Sequence, residues 1–111
     1  MKLQSKWFEL VKSGDKTVEG KLGKRDPGQK ITFECEGDTV DVIVDEICLY
    51  DSFEDMLKNH LQEALPGHTF EEGMAVYMGI YGKQIEELKL KKEPIVVTAI
   101  KIHLANSIKS E

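Results

Sequence analysis

The sequence has little cysteine and no long apolar run. It contains two cysteines, three prolines and one tryptophan among 111 residues. No stretch approaches the roughly 20 apolar residues that a membrane-spanning helix needs. Residues 1–7 also lack the continuous apolar segment of a secretory signal. These absences predict a cytoplasmic protein that has no membrane partner.

Metal-ligating residues are equally sparse. Cys35 and Cys48 each lie in an apolar, β-branched run, where a free thiol behaves as a small hydrophobe. The histidines at positions 60, 68 and 103 are scattered and form no zinc-ligand spacing with the cysteines. Nothing in the sequence requires a disulfide. We predict no metal and no cofactor.

Basic residues are outnumbered overall, 15 to 20, but five of them lie in one segment. The formal net charge is -5, which argues against a protein that coats duplex DNA, because such binding needs a broad basic face. Within residues 16–30, however, basic residues outnumber acidic ones: Lys16, Lys21, Lys24, Arg25 and Lys30 against Glu19 and Asp26. A basic segment on an acidic protein favours an anionic ligand such as a phosphate. A strand edge protected by lysines is the alternative interpretation.

Capping patterns predict the first two helices. Ser5 as N-cap opens a helix that runs to about Ser13, and Gly14 ends it. Ser52 with Asp55 has the spacing of a capping box and opens a second helix. The Pro-Gly pair at 66–67 breaks that helix.

A third helix follows from Thr69 and Glu72, which repeat the capping pattern. Its apolar residues recur at helical spacing to about Tyr81, and Gly82 is predicted to close it. The segment 83–93 is predicted as a surface loop or helical turn. Residues 73–82 carry no charge, which favours either full burial or the wall of a cleft.

Alternating and β-branched segments predict strands at residues 1–4, 16–22, 31–35, 39–49 and 95–104. The phase of the fourth segment changes near Asp45, where a bulge fits. The elements predict one α+β domain over residues 1–104, a small β-barrel of about five to six strands packed by two to three helices. Residues 105–111 are predicted to fray.

The order of these motifs resembles the ASCH domain, in its small prokaryotic-type members. F-E-L-V-K-S-G, D-K-T-V-E-G-K and P-G-Q-K-I-T-F are similar to the family's opening, with its signature at Gly14, Lys16, Glu19, Lys21 and Gly28. S-F-E-D-M-L-K, the helix ending I-Y-G and V-V-T-A-I-K-I also fit. The resemblance implies a PUA-like barrel that binds RNA or a modified nucleoside or nucleotide in a cleft between barrel and helices.

The resemblance also implies possible activities. One bacterial branch of the family hydrolyses the amide of N4-acetylcytidine with a lysine, a threonine and a glutamate. Lys16 matches the lysine, and Glu72 matches the glutamate, with Glu71 as the neighbouring alternative. Glu19 occupies the position of the threonine, so Thr17 is the nearest hydroxyl and a displaced nucleophile. A carboxylate in that place favours binding over catalysis. A ribonuclease or a protein-interaction module is a further alternative.

We therefore predict one ligand site with members Lys16, Glu19, Lys21, Lys24, Arg25 and Glu72. The lysines would hold a phosphate, while the glutamates accept hydrogen bonds from a base or ribose. In the hydrolase alternative, Lys16 and Glu72 handle protons. Two simpler roles compete: surface ion pairs, worth roughly 0–1 kcal/mol each, and a purely structural cap for Glu72.

Overall fold

The computed structural model describes residues 1–105 as three helices and four strands. In chain order these are α1 (Ser5–Ser13), β1 (Val18–Leu22), β2 (Lys30–Cys35), β3 (Asp38–Tyr50), α2 (Phe53–Ala64), α3 (Phe70–Leu90) and β4 (Val97–Leu104). The predicted α+β class is confirmed, with the strands curled into a half-barrel beside the helices. The tail predicted at 105–111 lies outside the described residues, apart from Ala105.

The sheet is antiparallel throughout, in the order β1-β4-β3-β2. The described residues therefore form four strands, fewer than the expected number. The first segment of the chain contributes only a single bridge between Lys2 and Glu34 instead of a strand. The predicted bulge is confirmed, because the pairing of β3 with β4 shifts register between Val44 and Glu46.

The two faces of the sheet pack against different helices. On one face, Val18, Leu22, Val97 and Ala99 join a core with α2 and α3. On the other face, a second core forms with α1 and contains Phe8, Val11, Ile31, Phe33, Val40, Val42, Ile100 and Ile102. Because side chains alternate along a strand, Glu19 and Lys21 project from the face on which α1 packs.

The ends of α1 follow the sequence closely. Gln4, rather than Ser5, is the N-cap, and its side chain makes no capping hydrogen bond, so the predicted cap is wrong by one residue. Gly14 ends the helix as predicted, with φ of 87° and its N–H donated to Val11 O. Glycine suits this left-handed position because it has no Cβ.

Ser52 opens α2 as predicted, and its Oγ accepts from Asp55 N at 3.0 Å. The helix is irregular at His60, where φ is -136°. The imidazole of His60 bridges the hydroxyl of Tyr50 and the carboxylate of Glu63, each at 2.7 Å. These contacts tie the last turn of α2 to the end of β3.

The predicted end of α3 at Gly82 is wrong. The capping box of Thr69 and Glu72 opens the helix as predicted, but the helix continues through Gly82 to Leu90. Ile85 is buried and Leu88 packs on the same core, so the apolar stripe extends beyond Tyr81. Burial of these side chains outweighs the roughly 1 kcal/mol that a glycine costs inside a helix. None of the helices within residues 1–105 is long and apolar enough to cross a membrane.

Candidate functional site

A cavity of about 170 Å³ lies between β1, α3 and the residues around the start of α1. We call it the β1–α3 cavity. Its lining includes Lys2, Trp7, Lys16, Glu19, Gly20, Lys21, Val76, Tyr77, Ile80 and Tyr81. Three lysines and a single carboxylate among these residues make the cavity locally positive.

Lys16 is buried at the base of this cavity, with 3% of its surface exposed. Its ammonium donates to Val18 O and Ala64 O, each at 2.6 Å, and lies 3.2 Å from Glu19 Oε1. A lysine has three N–H donors, and these three oxygens account for all of them. Burial lowers the pKa of Lys16 below its ordinary value, while the Glu19 carboxylate opposes the change.

The contact with Ala64 also gives Lys16 a structural role. The last carbonyls of a helix have no partner within the helix and carry partial negative charge. Lys16 satisfies one of them at the C-terminus of α2 and holds Glu19 at the same time. It therefore joins α2 to β1 and fixes the orientation of the carboxylate.

Glu19 is held between two lysines. Its Oε1 lies 3.2 Å from Lys16 Nζ, and its Oε2 lies 3.3 Å from Lys21 Nζ. Only 7% of the Glu19 surface is exposed. Each carboxylate oxygen has two lone pairs, so each can accept a further hydrogen bond. The pair of lysines holds the carboxylate in one orientation at the cavity.

Gly20 allows side chains of α2 and α3 to approach β1 closely. A Cβ at this position would lie 2.8 Å from Met56 Sδ and 3.0 Å from Tyr77 Oη, closer than packed atoms approach. The ring of Phe53 stacks on Tyr77 and on Tyr81, with centroids 4.6 and 5.2 Å apart. This aromatic stack places Tyr81 at the cavity. Burial raises the pKa of Tyr77, so its hydroxyl stays protonated.

A second depression, the basic groove, adjoins the cavity. It has a volume of about 350 Å³ and is lined by Met1, Lys21, Arg25, Asp26, Pro27, Tyr81 and Ile100. Lys21 and Tyr81 line both spaces. The cavity and the groove therefore meet at these two side chains.

The loop that carries Arg25 is anchored by Thr98, a fully buried residue of β4. The Thr98 hydroxyl donates to Gly23 O at 2.6 Å and accepts from Arg25 N at 3.1 Å. The guanidinium Nε of Arg25 donates to Leu22 O at 3.1 Å. Sequence reasoning missed Thr98, because a threonine in a β-branched strand carries no signal of a loop contact.

The structure brings together some of the predicted site residues. Lys16, Glu19 and Lys21 converge on the β1–α3 cavity, and Arg25 lines the adjoining groove. Lys24 is exposed and lines neither space. Glu72 lies apart, at the exposed start of α3.

Glu72 completes the capping box. Its carboxylate accepts from Thr69 N at 2.9 Å, and Thr69 Oγ1 accepts from Glu72 N at 3.1 Å. The backbone hydrogen bond from Thr69 lowers the pKa of Glu72. Its position is therefore explained by the helix start.

Thr17 lines a different cavity, of about 190 Å³, whose lining also includes Lys16, Val42 and Ile102. Its backbone is fixed by hydrogen bonds to Glu63 O and from Ile102 N. Thr17 and Glu72 thus lie outside the lining of the cavity that contains the Lys16–Glu19 pair. Both cysteines are free thiols. Within residues 1–105, no group of His, Cys, Asp or Glu side chains is arranged to hold a metal ion.

The chain is similar to one protein family and to two solved structures. A family model described as the ASCH domain matches residues 1–105. The crystal structure of hypothetical protein PH0355 is 38% identical with a TM-score of 0.73, over 94% of this chain and 95% of that one. The solution NMR structure of Protein PF0455 from Pyrococcus furiosus is 38% identical with a TM-score of 0.66, over 95% of this chain and 94% of that one. No curated protein matches the chain.

Proposed function

Because the chain belongs to the ASCH domain family over nearly its whole length, we propose that it binds RNA or a nucleotide-like ligand in the β1–α3 cavity. The observation that carries this proposal is the Glu19 carboxylate, held between Lys16 and Lys21 at a cavity beside Tyr81. A fixed hydrogen-bond acceptor suits the edge of a base, a cation suits a phosphate, and an aromatic ring suits the face of a base.

The size of the cavity supports a proposal for which part of the ligand enters it. Its volume of about 170 Å³ is smaller than the roughly 300–1,000 Å³ of typical ligand pockets. A cavity of this volume suits a single base better than a whole nucleotide. The phosphate then lies in the basic groove, where Lys21 and Arg25 supply positive charge.

Glu19 would read the edge of the base. A carboxylate accepts hydrogen bonds and cannot donate them, so it favours a base that presents an amino group. Cytosine presents its exocyclic amino group where uracil presents a carbonyl oxygen. We therefore expect cytidine 5′-monophosphate to bind more tightly than uridine 5′-monophosphate.

Lys16 would act on the ligand only through Glu19. All three of its donors already have oxygen partners, so a direct contact to a phosphate would break one of these bonds. Lys16 is thus a positioning residue. Lys21 is the lysine available to the ligand, because Glu19 takes only one of its donors.

The geometry favours binding over amide hydrolysis. A hydrolase of the acetylcytidine type needs a nucleophile beside a base. Thr17 lines the other cavity, which Lys16 also lines but Glu19 does not, and Glu72 lies in the capping box of α3. Incubation with N4-acetylcytidine at high protein concentration is expected to release no acetate, and turnover would establish the hydrolase alternative instead.

Calorimetric titration with cytidine 5′-monophosphate at several salt concentrations tests the binding proposal. Lys21→Gln is expected to weaken binding and to flatten its salt dependence, since one phosphate contact is lost. Glu19→Gln is expected to weaken binding and to reduce the preference for cytidine over uridine. Glu72→Gln is expected to retain the parental affinity.

Lys58→Gln is the matched control for Lys21→Gln. Lys58 also pairs with a glutamate, Glu54 at 3.2 Å, but it lies exposed on α2 away from both spaces. If both lysine variants bind as the parent does, the proposed site is wrong. If the parent binds no nucleotide, the proposed function itself is wrong.

A further inference from the structure

The sheet face that carries Glu19 and Lys21 continues into an exposed apolar pair on β3. Ile47 and Leu49 are 36% and 50% exposed. Through β4, Ile47 pairs with Ile100, which pairs with Glu19. In the next row, Leu49 pairs with Thr98, which pairs with Lys21. Residues paired across strands share a face, so each row joins an apolar side chain to a charged one.

The two ends of each row are close. Adjacent strands lie about 4.8 Å apart, so Leu49 is roughly 10 Å across the sheet from Lys21. The central members of the rows, Ile100 and Thr98, are fully buried. Ile100 also lines the basic groove. Ile47 is therefore the neighbour on β3 of Ile100, a residue of β4 that lines the groove.

The bulge in β3 is the reason that this pair lies on this face. Before the bulge, Val40 and Val42 belong to the core that packs on α1. After the register shift between Val44 and Glu46, the odd-numbered residues of β3 lie on that face. A one-residue change of register moves every later side chain to the opposite face. Without the bulge, Ile47 and Leu49 would point toward α2 and α3.

The charge around the pair suits an anionic ligand. Lys21 and Arg25 line the groove together with one carboxylate, Asp26, whose Oδ1 accepts from Gly28 N at 3.1 Å. The two carboxylates that precede the pair already have partners: Asp45 lies 2.7 Å from His103 Nδ1 and Glu46 lies 3.7 Å from Lys101 Nζ. A phosphate beside Ile47 and Leu49 would thus meet positive charge on the groove side and no unpaired carboxylate from these positions.

We propose that Ile47 and Leu49 form a second contact for single-stranded RNA. One base enters the β1–α3 cavity, the phosphate lies between Lys21 and Arg25, and the neighbouring nucleotide lays its base on the apolar pair. This inference rests on the proposed function and narrows it, because the preferred ligand becomes an oligonucleotide instead of a free nucleotide. Apolar contact with a base face is tolerant of sequence, so this second position would discriminate little among bases.

The test compares cytidine 5′-monophosphate with the dinucleotide cytidylyl-cytidine in the same titration. The parent is expected to bind the dinucleotide about tenfold more tightly, the scale of one stacked or apolar base contact. Leu49→Gln is expected to remove that gain and to leave the affinity for the mononucleotide unchanged. Leu90→Gln is the matched control, since Leu90 is 82% exposed at the end of α3, and thermal melting verifies that both variants fold.

The outcomes separate this inference from the proposed function. Equal affinity of the parent for both ligands, or equal behaviour of the two leucine variants, would overturn the second contact and leave the cavity proposal standing. Failure of the parent to bind either ligand would remove both. Sedimentation equilibrium tests whether a second copy of the chain covers the apolar pair instead. A dimer that Leu49→Gln dissociates would assign the pair to that second copy and overturn the RNA contact.

Discussion

The ammonium of Lys16 lies 3.2 Å from the carboxylate of Glu19, and both side chains are almost fully removed from solvent. A buried charge loses its hydration, and only a partner and hydrogen bonds compensate for that loss. Here the compensation is complete: among the described residues, no buried side-chain N or O atom lacks a hydrogen-bond partner.

Removing one member of this pair should therefore be costly. We expect Lys16→Met to lower the free energy of unfolding by about 3–5 kcal/mol, because it removes the buried partner of Glu19 and leaves the carbonyl oxygens of Val18 and Ala64 without this donor. Chemical denaturation measures the loss. Lys58→Met breaks an exposed pair with Glu54 and should cost less than about 1 kcal/mol. Equal losses in the two variants would mean that the Lys16 pair is not desolvated in solution.

Two glycines should respond to alanine in opposite directions. In Gly20→Ala the new methyl group would collide with Met56 and Tyr77, so we expect a loss of about 1–3 kcal/mol from overpacking. In Gly79→Ala the methyl group meets nothing within 4 Å on an exposed helix face. There we expect a gain of about 0.5–1 kcal/mol, since alanine restricts the unfolded chain and favours the helix. Thermal unfolding of both variants measures the two signs, and a stabilised Gly20→Ala would contradict the close approach of Met56 and Tyr77 to β1.

Alkaline pH should destabilise the protein through Tyr77. Burial raises the pKa of Tyr77 in the folded state above the ordinary value of 10.0. Above pH 10 the unfolded state therefore releases this proton while the folded state keeps it, so stability falls as pH rises, by up to about 1.4 kcal/mol per pH unit. Tyr77→Phe keeps the ring stack with Phe53 and should lose stability less steeply between pH 9 and pH 11. Denaturant titrations at each pH compare the slopes, and parallel slopes would contradict a buried Tyr77 hydroxyl.

Thr98 should control the order of the loop that bears Arg25. Thr98→Val preserves the shape but leaves Gly23 O and Arg25 N without their partner, at a cost of about 1–3 kcal/mol. We also expect faster amide hydrogen exchange at residues 23–28. Thr32→Val is the control, because the Thr32 hydroxyl bonds Asp41 at an exposed site and its loss should leave that loop unchanged. Unchanged exchange in both variants would mean that Thr98 does not anchor the loop.

Local sequence signals predicted much of the fold. Gly14 as a helix end, Ser52 and Thr69 as helix starts and the bulge after Val44 are each confirmed. These features depend on neighbouring residues in the chain, so a single sequence contains the information. The end of α3 was predicted wrongly, because burial of Ile85 by distant residues outweighs the local preference of Gly82.

The candidate site was predictable only in part. Spacing on one strand predicts that Glu19 and Lys21 share a face, and the local excess of positive charge already included Lys16. The contact of Lys16 with Ala64, 48 positions along the chain, was not predictable, because nothing local indicates where α2 ends in space. Glu72 was grouped with the site from the resemblance, whereas its hydrogen bonds lie within the first turn of α3.

The position of β4 in the sheet has a consequence for the order of synthesis. β4 is the last described strand in the chain, yet it lies between β1 and β3. β2 and β3 can pair as a hairpin while the polypeptide is still emerging from the ribosome, but Val18 of β1 must wait for Lys101. Pairings between such distant positions form slowly. The nascent chain therefore carries Glu19 and Lys21 on an unpaired strand until almost the whole domain is translated, and the ligand site is among the last parts of the protein to assemble.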